Sequence, residues 1–476
     1  MNSSPLSLQT TKSRRSARRL VKNGLITLVS IGCLIKTAYA DRPATFWTTA
    51  SGDFFDSSNW SLGSPGTNLD AKIDNGGIVR INTASDDTIP YVFLGSAQNS
   101  SGTLEVTSGG VANFTTMIVG ALNATGKLNI TGGGKLTSFG GPIGSDYLGV
   151  GIATIDGAGS SWKVTGAEMV IGGNGVGTVF LQNSSSLTVA NGLGRVELAD
   201  HPLAEGTLSI GNGGIAGTLS ASEIYNGEGM ATVIFNHSNA ALTVATKFTG
   251  VQTVRGYLNI IQQGSGTTVL SAPESNLAGK ITVSGGTLLV TGRIMGSVTD
   301  VVVDEMLMQE RTVGETLVTA NGTLGGTGFL EGKTTIQGKL SPGIATGILK
   351  FGGDLSLSST STVKIELGGT VRGTQFDAVD VAGVLAYAGT LRIDMLNGFV
   401  PSQGLTFDLF NGYSSYSGTF ANIEFSSGNY AGAFDPVTGI LSVTTIPEPG
   451  ILGLAAIGMA TLGLRRRNRG KQQRTR

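Results

Sequence analysis

The sequence predicts an all-β protein, a right-handed parallel β-helix with about three short strands per turn. One phrase of alternating apolar and polar residues recurs at intervals of 24 to 29 residues, a spacing typical of solenoid repeats. Glycine makes up 74 of the 476 residues, and glycine adopts the positive φ values that tight turns between strands need. Helical periodicity is nearly absent between residues 41 and 446, so the only helices expected are a signal helix and one short C-terminal transmembrane helix.

The N-terminus has the pattern of a secretory signal peptide over residues 1–40. A basic segment (12–22) precedes the apolar run GLITLVSIGCLI (24–35), and Ala38-Tyr39-Ala40 stands directly before Asp41. A basic region, a short apolar region and an A-x-A site together predict export and cleavage after Ala40.

Two other export signals compete with this interpretation. Arg14-Arg15 or Arg18-Arg19 could belong to a twin-arginine signal, and Cys33 could end a degenerate lipobox. Both are weak matches, because Ser30 stands where a lipobox has an aliphatic residue, and no cofactor is evident that would require folding before export.

The start of the mature chain, residues 41–100, is rich in aromatic residues. It contains two of the three tryptophans, Trp47 and Trp60. A solenoid needs a cap over its first turn, which bulky aromatic side chains can provide. We expect a cap followed by the first strands, with a sugar-stacking site as the alternative.

The recurring phrase predicts the core of the repeats in residues 101–300. It starts at Gly102, Gly126, Ala153, Gly177, Gly206 and Ala231. Successive side chains of a strand point to opposite faces, so stacked strands should bury continuous aliphatic columns. The expected members are Leu104, Val106, Leu128, Ile130, Ile155, Val179, Leu208, Ile210 and Val233. Several separate β-sandwiches remain an alternative because short alternating strands also build those.

Charge is segregated along the chain although the formal net charge is zero. Residues 1–40 hold seven Lys or Arg and no acid, and residues 447–476 hold seven and one acid. The body between them keeps 18 basic and 31 acidic residues, a net charge of −13. We therefore expect no nucleic-acid partner.

Residues that could bind metals or act as nucleophiles are scarce. The one cysteine, Cys33, lies inside the signal peptide, and the two histidines are His201 and His237. We interpret His201 as an exposed loop residue and His237 as a residue of a strand stack. Thiol catalysis, disulfides and His-rich metal sites are not expected, and neither is a cofactor.

The last segment, residues 446–476, combines a proline motif, an apolar run and a basic tail. Pro447-Glu448-Pro449 comes first, and residues 450–464 follow as 15 apolar or small residues. Such a helix is about 22 Å long, short against a hydrocarbon core of about 30 Å. The positive-inside rule keeps the following arginines cytoplasmic; these are Arg465, Arg466, Arg467 and Arg469.

This C-terminal segment resembles the PEP-CTERM sorting signal of Gram-negative bacteria. The resemblance implies recognition of Pro447-Glu448-Pro449 by an exosortase, a membrane-embedded cysteine transpeptidase. It also implies transient tethering to the inner membrane through residues 450–464, followed by release to the cell surface or extracellular matrix. Extracellular polysaccharide is a further partner that the family implies. An ordinary single-pass anchor is the alternative.

The body resembles the passenger regions of autotransporter adhesins. The phrases GGTLLVTG (285–292) and NGTLGGTGFLEGKTTIQGKLSPG (321–343) carry the likeness, which continues to residue 410. The resemblance implies a β-helix and assigns residues 301–445 to a C-terminal solenoid portion. It departs from the family because a sorting signal stands where a C-terminal barrel would follow.

No catalytic motif stands out. Glycoside hydrolysis needs two carboxylates roughly 5 to 10 Å apart, whereas pairs such as Asp53/Asp56, Asp86/Asp87 and Asp304/Glu305 are neighbours in sequence, typical of solvated turns. Asp377 and Asp380 should point to opposite faces of a strand. We expect a structural or adhesive surface protein rather than an enzyme, with a polysaccharide lyase or hydrolase on the same scaffold as the alternative.

Overall fold

The structure, a computed structural model, describes residues 42–250, 256–303, 306–427 and 429–445. These residues form 46 strands and two short 3-10 helices, Ser57–Asn59 and Ala190–Gly192. The predicted signal peptide, its cleavage site at Ala38 to Asp41, the sorting motif and the basic tail lie outside the described residues. Within the described part, no helix has the length and apolar character needed to span a bilayer.

The strands are short and follow one another at close intervals. The first part of the chain contains β1 Ala44–Phe46, β2 Ser51–Asp53, β3 Asp70–Ile73, β4 Asn75–Ile81, β5 Ala84–Leu94, β6 Ser101–Val106, β7 Val111–Val119, β8 Thr125–Thr131 and β9 Lys135–Gly140. The middle part contains β10 Val150–Asp156, β11 Ser161–Val164, β12 Glu168–Ile171, β13 Val176–Gln182, β14 Ser186–Val189, β15 Arg195–Leu198, β16 Glu205–Ile210, β17 Thr218–Ser220, β18 Glu223–Asn226, β19 Met230–Phe235, β20 Leu242–Val244, β21 Lys247–Gly250, β22 Leu258–Gln262, β23 Thr267–Leu270, β24 Glu274–Leu277, β25 Ile281–Val283, β26 Thr287–Val290 and β27 Arg293–Met295.

The last part of the chain continues this arrangement and adds two antiparallel units. It contains β28 Ser297–Val303, β29 Met306–Thr312, β30 Thr316–Val318, β31 Thr323–Gly326, β32 Phe329–Leu330, β33 Thr334–Ile336, β34 Lys339–Pro342, β35 Ile348–Phe351, β36 Leu355–Leu357, β37 Thr362–Leu367, β38 Ala378–Val381, β39 Val384–Tyr387, β40 Thr390–Met395, β41 Thr406–Asp408, β42 Phe410–Asn411, β43 Ser415–Gly418, β44 Asn422–Phe425, β45 Tyr430–Asp435 and β46 Ile440–Thr445.

Four parallel sheets run along the molecule. The long sheet has fifteen strands in the order β2-β4-β6-β8-β10-β13-β16-β19-β22-β25-β30-β33-β36-β39-β43. A second face carries two eight-stranded sheets, β1-β3-β5-β7-β9-β11-β14-β17 and β20-β23-β26-β31-β34-β37-β40-β44. The third sheet has ten strands, β12-β15-β18-β21-β24-β27-β32-β35-β38-β42. From β10 to β27 the chain visits the three faces in turn, and we call one such turn a rung.

The long sheet confirms the predicted aliphatic columns. Leu104 pairs with Leu128, and the column continues through Val179 to Leu208 and Val233. All nine residues expected in the core are buried. Continuous parallel pairing through residues 102–250 excludes the alternative of separate β-sandwiches there. The right-handed path stays a prediction, based on the handedness of parallel crossovers.

Glycine at the corners lets successive rungs approach closely. Gly144 has a φ of +66°, and a Cβ added there would lie 2.3 Å from the Val176 carbonyl oxygen of the next rung. Any other residue would therefore push the rungs apart, which explains part of the high glycine content.

Aromatic side chains close the N-terminal end of the core. Trp47 and Trp60 meet edge to face with ring centroids 5.0 Å apart, and they are only 3% and 5% exposed. The Trp60 indole donates to the Phe54 carbonyl oxygen over 2.7 Å. Both tryptophans thus contribute to the core, and neither ring is free to stack on a sugar.

The C-terminal end has a second aromatic cluster under an antiparallel sheet. Strands β41, β46 and β45 form this three-stranded sheet. Tyr387 lies 5.2 to 5.4 Å, centroid to centroid, from Phe410, Phe420 and Phe434. The last rungs are therefore covered by side chains from a different sheet, as a solenoid end requires.

Candidate functional site

A groove of about 930 Å³ runs along the outside of the N-terminal rungs, between residues 42 and 201. Its floor is a column of outward-facing residues, one per rung. Lys72 pairs with Phe93, Phe93 pairs with Ile118, and the column continues to Val170. Five rungs at about 4.8 Å spacing make this floor about 20 Å long.

The floor is apolar although it faces away from the core. Phe93, Ile118 and Ala121 pack into a small cluster separate from the main core. Strands β5 and β7 alternate strictly here, so the residues next to Phe93, Val92 and Leu94, point inward and are fully buried. Apolar residues therefore occupy both faces of these strands, and the outward ones, Phe93 and Ile118, are only 9% and 6% exposed.

One end of the groove is basic. The Lys72 ammonium lies 5.3 Å from the centroid of the Phe93 ring and 5.8 Å from that of Phe46, within the range of cation–π attraction. The Arg42 guanidinium donates from Nε to Asp70 Oδ1 over 3.1 Å. Burial raises the pKa of Asp70, and the Arg42 contact opposes that rise.

One wall is formed by corner loops that follow the third face. Leu122 lines the groove and is 51% exposed. Its φ of +49° lies in the left-handed region, which is unfavourable for a branched side chain. On the next rung Leu148 repeats the combination, with a φ of +57° and 55% exposure.

The other end of the groove is acidic. Val170 pairs with Glu197 and Glu197 with Tyr225, so the floor column passes from an aliphatic residue to a carboxyl group. The Tyr225 hydroxyl donates to Glu168 Oε1 over 2.5 Å. Asp200 also lines this end.

Glu197 continues the floor column just beyond the residues that line the groove, and its pKa is strongly raised. It is only 8% exposed. Burial raises its pKa to about 7, and the negative charge of Asp200 adds to the rise. Near neutral pH this group therefore exchanges a proton beside carboxylates that face the groove.

Alternating charges follow the same sheet beyond the groove. Glu168 pairs in register with Arg195, Arg195 with Glu223, and Glu223 with Lys247. The Arg195 guanidinium lies 2.9 Å from Glu168 Oε1 and over the Tyr225 ring, 4.8 Å from its centroid. These partly exposed pairs contribute little energy each.

His201 matches the sequence interpretation, whereas His237 lies within a rung but in the loop after β19 rather than in a strand. The His201 side chain is 55% exposed on a corner loop, with Nδ1 3.1 Å from Asp200 Oδ2. His237 is fully buried, and its Nε2 lies 2.8 Å from the Thr268 hydroxyl, which donates to Gln262 Oε1 over 2.6 Å. That network is complete within the core, so His237 is a structural residue.

The remaining sequence candidates do not converge on the groove. Asp53 accepts from the Phe55 amide and Asp56 from the Ser58 amide, which is turn geometry. Asp377 is fully buried and accepts from the Gly347 and Glu366 amides, both over 2.9 Å. Within the described ranges, no group of three His, Cys, Asp or Glu could hold a metal ion.

Sequence reasoning missed the groove and the charge ladder. Both depend on outward positions of the third face, whereas the recurring phrase belongs to the long sheet. A signal was present, because Glu168, Arg195, Glu223 and Lys247 recur with alternating sign at nearly the repeat period. Aligning the third strand of each repeat would have revealed it.

Comparison with known proteins agrees with both resemblances in the sequence. Residues 445–467 match the PEP-CTERM protein-sorting motif. Over 345 residues the chain is 31% identical to the adhesin BmaC autotransporter of Brucella suis biovar 1 (strain 1330). That match covers 69% of this chain and 9% of the adhesin, so the chain spans under a tenth of its relative's length. The chain thus carries a PEP-CTERM sorting motif and a body similar to part of an autotransporter adhesin.

Proposed function

We propose that this chain is an exported protein of the cell surface or extracellular matrix with an adhesive or structural role. The observation that carries this proposal is the combination of a sorting motif with a solenoid body similar to an adhesin. The sorting motif implies recognition by an exosortase. In this proposal the segment 450–464 tethers the protein to the inner membrane before processing.

The body supplies features that suit such a role. Each strand of a parallel stack forms hydrogen bonds with the strands of the rungs before and after it. This bonding continues along the whole axis and gives a long and rigid rod. The acidic body, with a net charge of −13 over residues 41–446, favours a soluble, unaggregated state outside the cell. The groove offers a contact surface on the side of the rod.

Substituting both Pro447 and Pro449 by alanine tests the sorting step. The expected result is an uncleaved protein held in the inner membrane, because the extended conformation that the prolines impose is lost. Immunoblotting of membrane and surface fractions with a tag before residue 446 measures this. Intact-mass analysis of the surface form should give Asp41 as its first residue.

A matched control separates the motif from general damage. Pro342 to alanine leaves the motif intact, so that variant should be processed like the parent. Surface protein that still ends at Arg476 in a cell with an exosortase would contradict the sorting proposal. An ordinary single-pass anchor would then be the remaining interpretation of the C-terminal segment.

An enzyme acting on polysaccharide is the second candidate, favoured by Glu197, which lies next to the acidic end of the groove. A carboxyl group with a pKa of about 7 can act as a general acid near neutral pH. Release of new reducing ends from a polysaccharide by the parent, with loss in Glu197→Gln, would establish the enzyme. We expect no such release, because the adhesin likeness favours binding alone.

A further inference from the structure

The second face of the rod is interrupted between β17 and β20. Strand β17 ends the first eight-stranded sheet, and β20 begins the second. On the other two faces the strands of the same two rungs pair directly, β16 with β19 and β18 with β21. These two rungs are therefore joined along two faces of the rod and open along the third.

The opening is a cavity of about 300 Å³ between residues 217–222 and 242–246, and we call it the slot. Its volume equals that of about ten water molecules in the liquid. Side chains close its two ends. The Asn239 carboxamide oxygen accepts from the Ala216 amide over 2.8 Å. The Thr246 hydroxyl donates to the Ala221 carbonyl oxygen over 3.1 Å.

The slot uncovers part of the apolar core. Leu219 of β17 pairs with Leu187, and Leu242 of β20 pairs with Thr268. Leu187 and Thr268 are fully buried, whereas Leu219 and Leu242 pack against the core but stay partly exposed. The inward column of the second face is thus covered on both sides of the slot and open at the slot itself.

The wall formed by β17 presents peptide groups to the slot. In a parallel pair, every second residue bonds to a given neighbouring strand, and the residues between them face the opposite side. Thr218 pairs with Ser186, and the Thr218 amide donates to the Ser185 carbonyl oxygen over 2.8 Å. Thr218 therefore bonds to β14, so the amide and carbonyl groups of Leu219 face the slot.

The wall formed by β20 is arranged in the same way. Val244 pairs with Leu270, and the Val244 carbonyl oxygen accepts from the Ser271 amide over 2.9 Å. Val244 therefore bonds to β23, so the peptide groups of Thr243 face the slot. Among the described residues, no strand pairs with β17 or β20 on this side, so both walls are open to a further strand.

These groups select the chemistry of a ligand. A hydrocarbon chain would cover the leucines but would leave the peptide groups of both walls without partners, which costs free energy. An extended peptide covers the leucines with alternate side chains and offers amide and carbonyl groups to both walls. In the described structure no residue that lines the slot is charged, so a charged side chain would find no partner there.

We propose that the slot binds an extended, uncharged peptide segment of a partner protein as an added strand of the second face. Its apolar side chains cover Leu219 and Leu242, and its backbone bonds to Leu219 on one wall and Thr243 on the other. Every described strand of this chain is already paired, so a second copy offers no spare strand there. The inference goes beyond the proposed function, since an adhesive or structural role names no peptide ligand.

The test uses the full mature chain and a labelled peptide with the sequence of residues 185–190, SSLTVA, which has the alternation of a strand on this face. Fluorescence anisotropy measures its binding. A second peptide carries N-methyl groups on its leucine and valine, so it keeps the side chains and loses two donors. It should bind at least about tenfold more weakly. Equal binding of the two peptides, or no binding of the first, would overturn the proposal.

Thr243→Pro tests the slot from the side of the protein. Proline removes an amide that faces the slot, at the edge of a sheet, where the fold tolerates its loss. The variant should bind the unmodified peptide about tenfold more weakly. Thr243→Ala is the matched control, because it keeps the amide and should bind like the parent. If Thr243→Pro fails to fold, which thermal unfolding reports, the two peptides on the parent protein still decide the question.

Hydrogen exchange of the parent locates the bound peptide. The peptide should slow exchange in β17 and β20 and leave the distant β36 unchanged, because an added strand bonds to both walls. Slower exchange at the end strands β2 or β43 in place of β17 and β20 would show that the peptide extends a sheet at an end of the rod, which contradicts the proposal. Self-association of the parent that the peptide reverses would identify a second copy as the occupant and contradict a partner protein.

Discussion

At the scale of single residues, Glu197 lies in an environment that its type disfavours. It is an acid in an outward-facing column of a parallel sheet, yet it is 8% exposed. Tyr225 covers it from the next rung, and Asp200 and Glu168 place negative charge nearby. The neutral form is therefore the stable one inside the fold until about neutral pH.

Glu197 should make the fold less stable as pH rises. Its pKa is raised from 4.5 to about 7, so between these values the folded state holds a proton that the unfolded state releases. This contribution to the free energy of unfolding is on the order of 3 kcal/mol. It is fully present below pH 4.5 and is lost as pH rises to about 7. Urea unfolding of the parent at pH 5 and pH 8, compared with Glu197→Gln, measures it.

Glu205→Gln serves as the control, since Glu205 is exposed at the start of β16. The parent and this control should lose stability in parallel with rising pH, while Glu197→Gln loses less. If all three curves coincide, Glu197 is ionised in the folded protein across this range.

At the scale of elements, the recurring phrase that the sequence analysis found belongs to the one sheet that runs the full length of the solenoid. Alternation within GTLEV and GKLNI predicts Leu104 and Leu128 as inward residues, and they stack in register. Period-two alternation and a fixed repeat interval are enough to predict these inward positions, because a parallel stack places equivalent residues above each other.

The third face was not predictable in the same way. Its strands are short and polar outside, and β5 and β7 carry residues of two faces within one strand. Nothing local distinguishes Phe93 or Ile118 as a groove floor, since both resemble core residues until the direction of each side chain is known. The groove depends on which corner loops project, and that is a property of neighbouring rungs.

Leu128→Asp tests the stack at the element scale. Leu128 is fully buried between Leu104 and Ala153, so an ionised carboxylate there would cost at least about 3 kcal/mol. Stability in a solenoid depends on adjacent rungs. Hydrogen exchange should therefore accelerate in β6, β8 and β10 and stay unchanged in the distant β36.

Asn129→Asp is the neighbouring control. Asn129 lies on the same strand but faces outward, so this variant should exchange like the parent. Exchange that is equally slow in the Leu128→Asp variant would show that Leu128 is not in a core. Exchange that accelerates equally in β36 would show that the rod unfolds as one unit.

At the scale of the whole molecule, the two ends and the body have opposite charge and separate roles. The acidic body needs no contact with an anionic membrane, whereas both basic segments flank apolar runs, 24–35 and 450–464. In the proposed function, export uses only the first segment, and retention uses only the last. A rod tethered at its C-terminal end would hold the groove, which lies in the N-terminal rungs, at its far end from the membrane.

The basic tail should be tested separately from the proline motif. Replacing Arg465, Arg466 and Arg467 by glutamine removes the charges that, in the proposed topology, hold the C-terminus in the cytoplasm. A span of 15 residues is marginal for a bilayer, so we expect the tail to slip through and the uncleaved protein to reach the periplasm. Protease accessibility of a C-terminal tag in spheroplasts measures this.

Replacement of the same residues by lysine keeps the charge, so that variant should be sorted like the parent. If the glutamine variant is cleaved and displayed normally, the arginines are not part of the retention step, and the apolar run alone holds the segment for the exosortase.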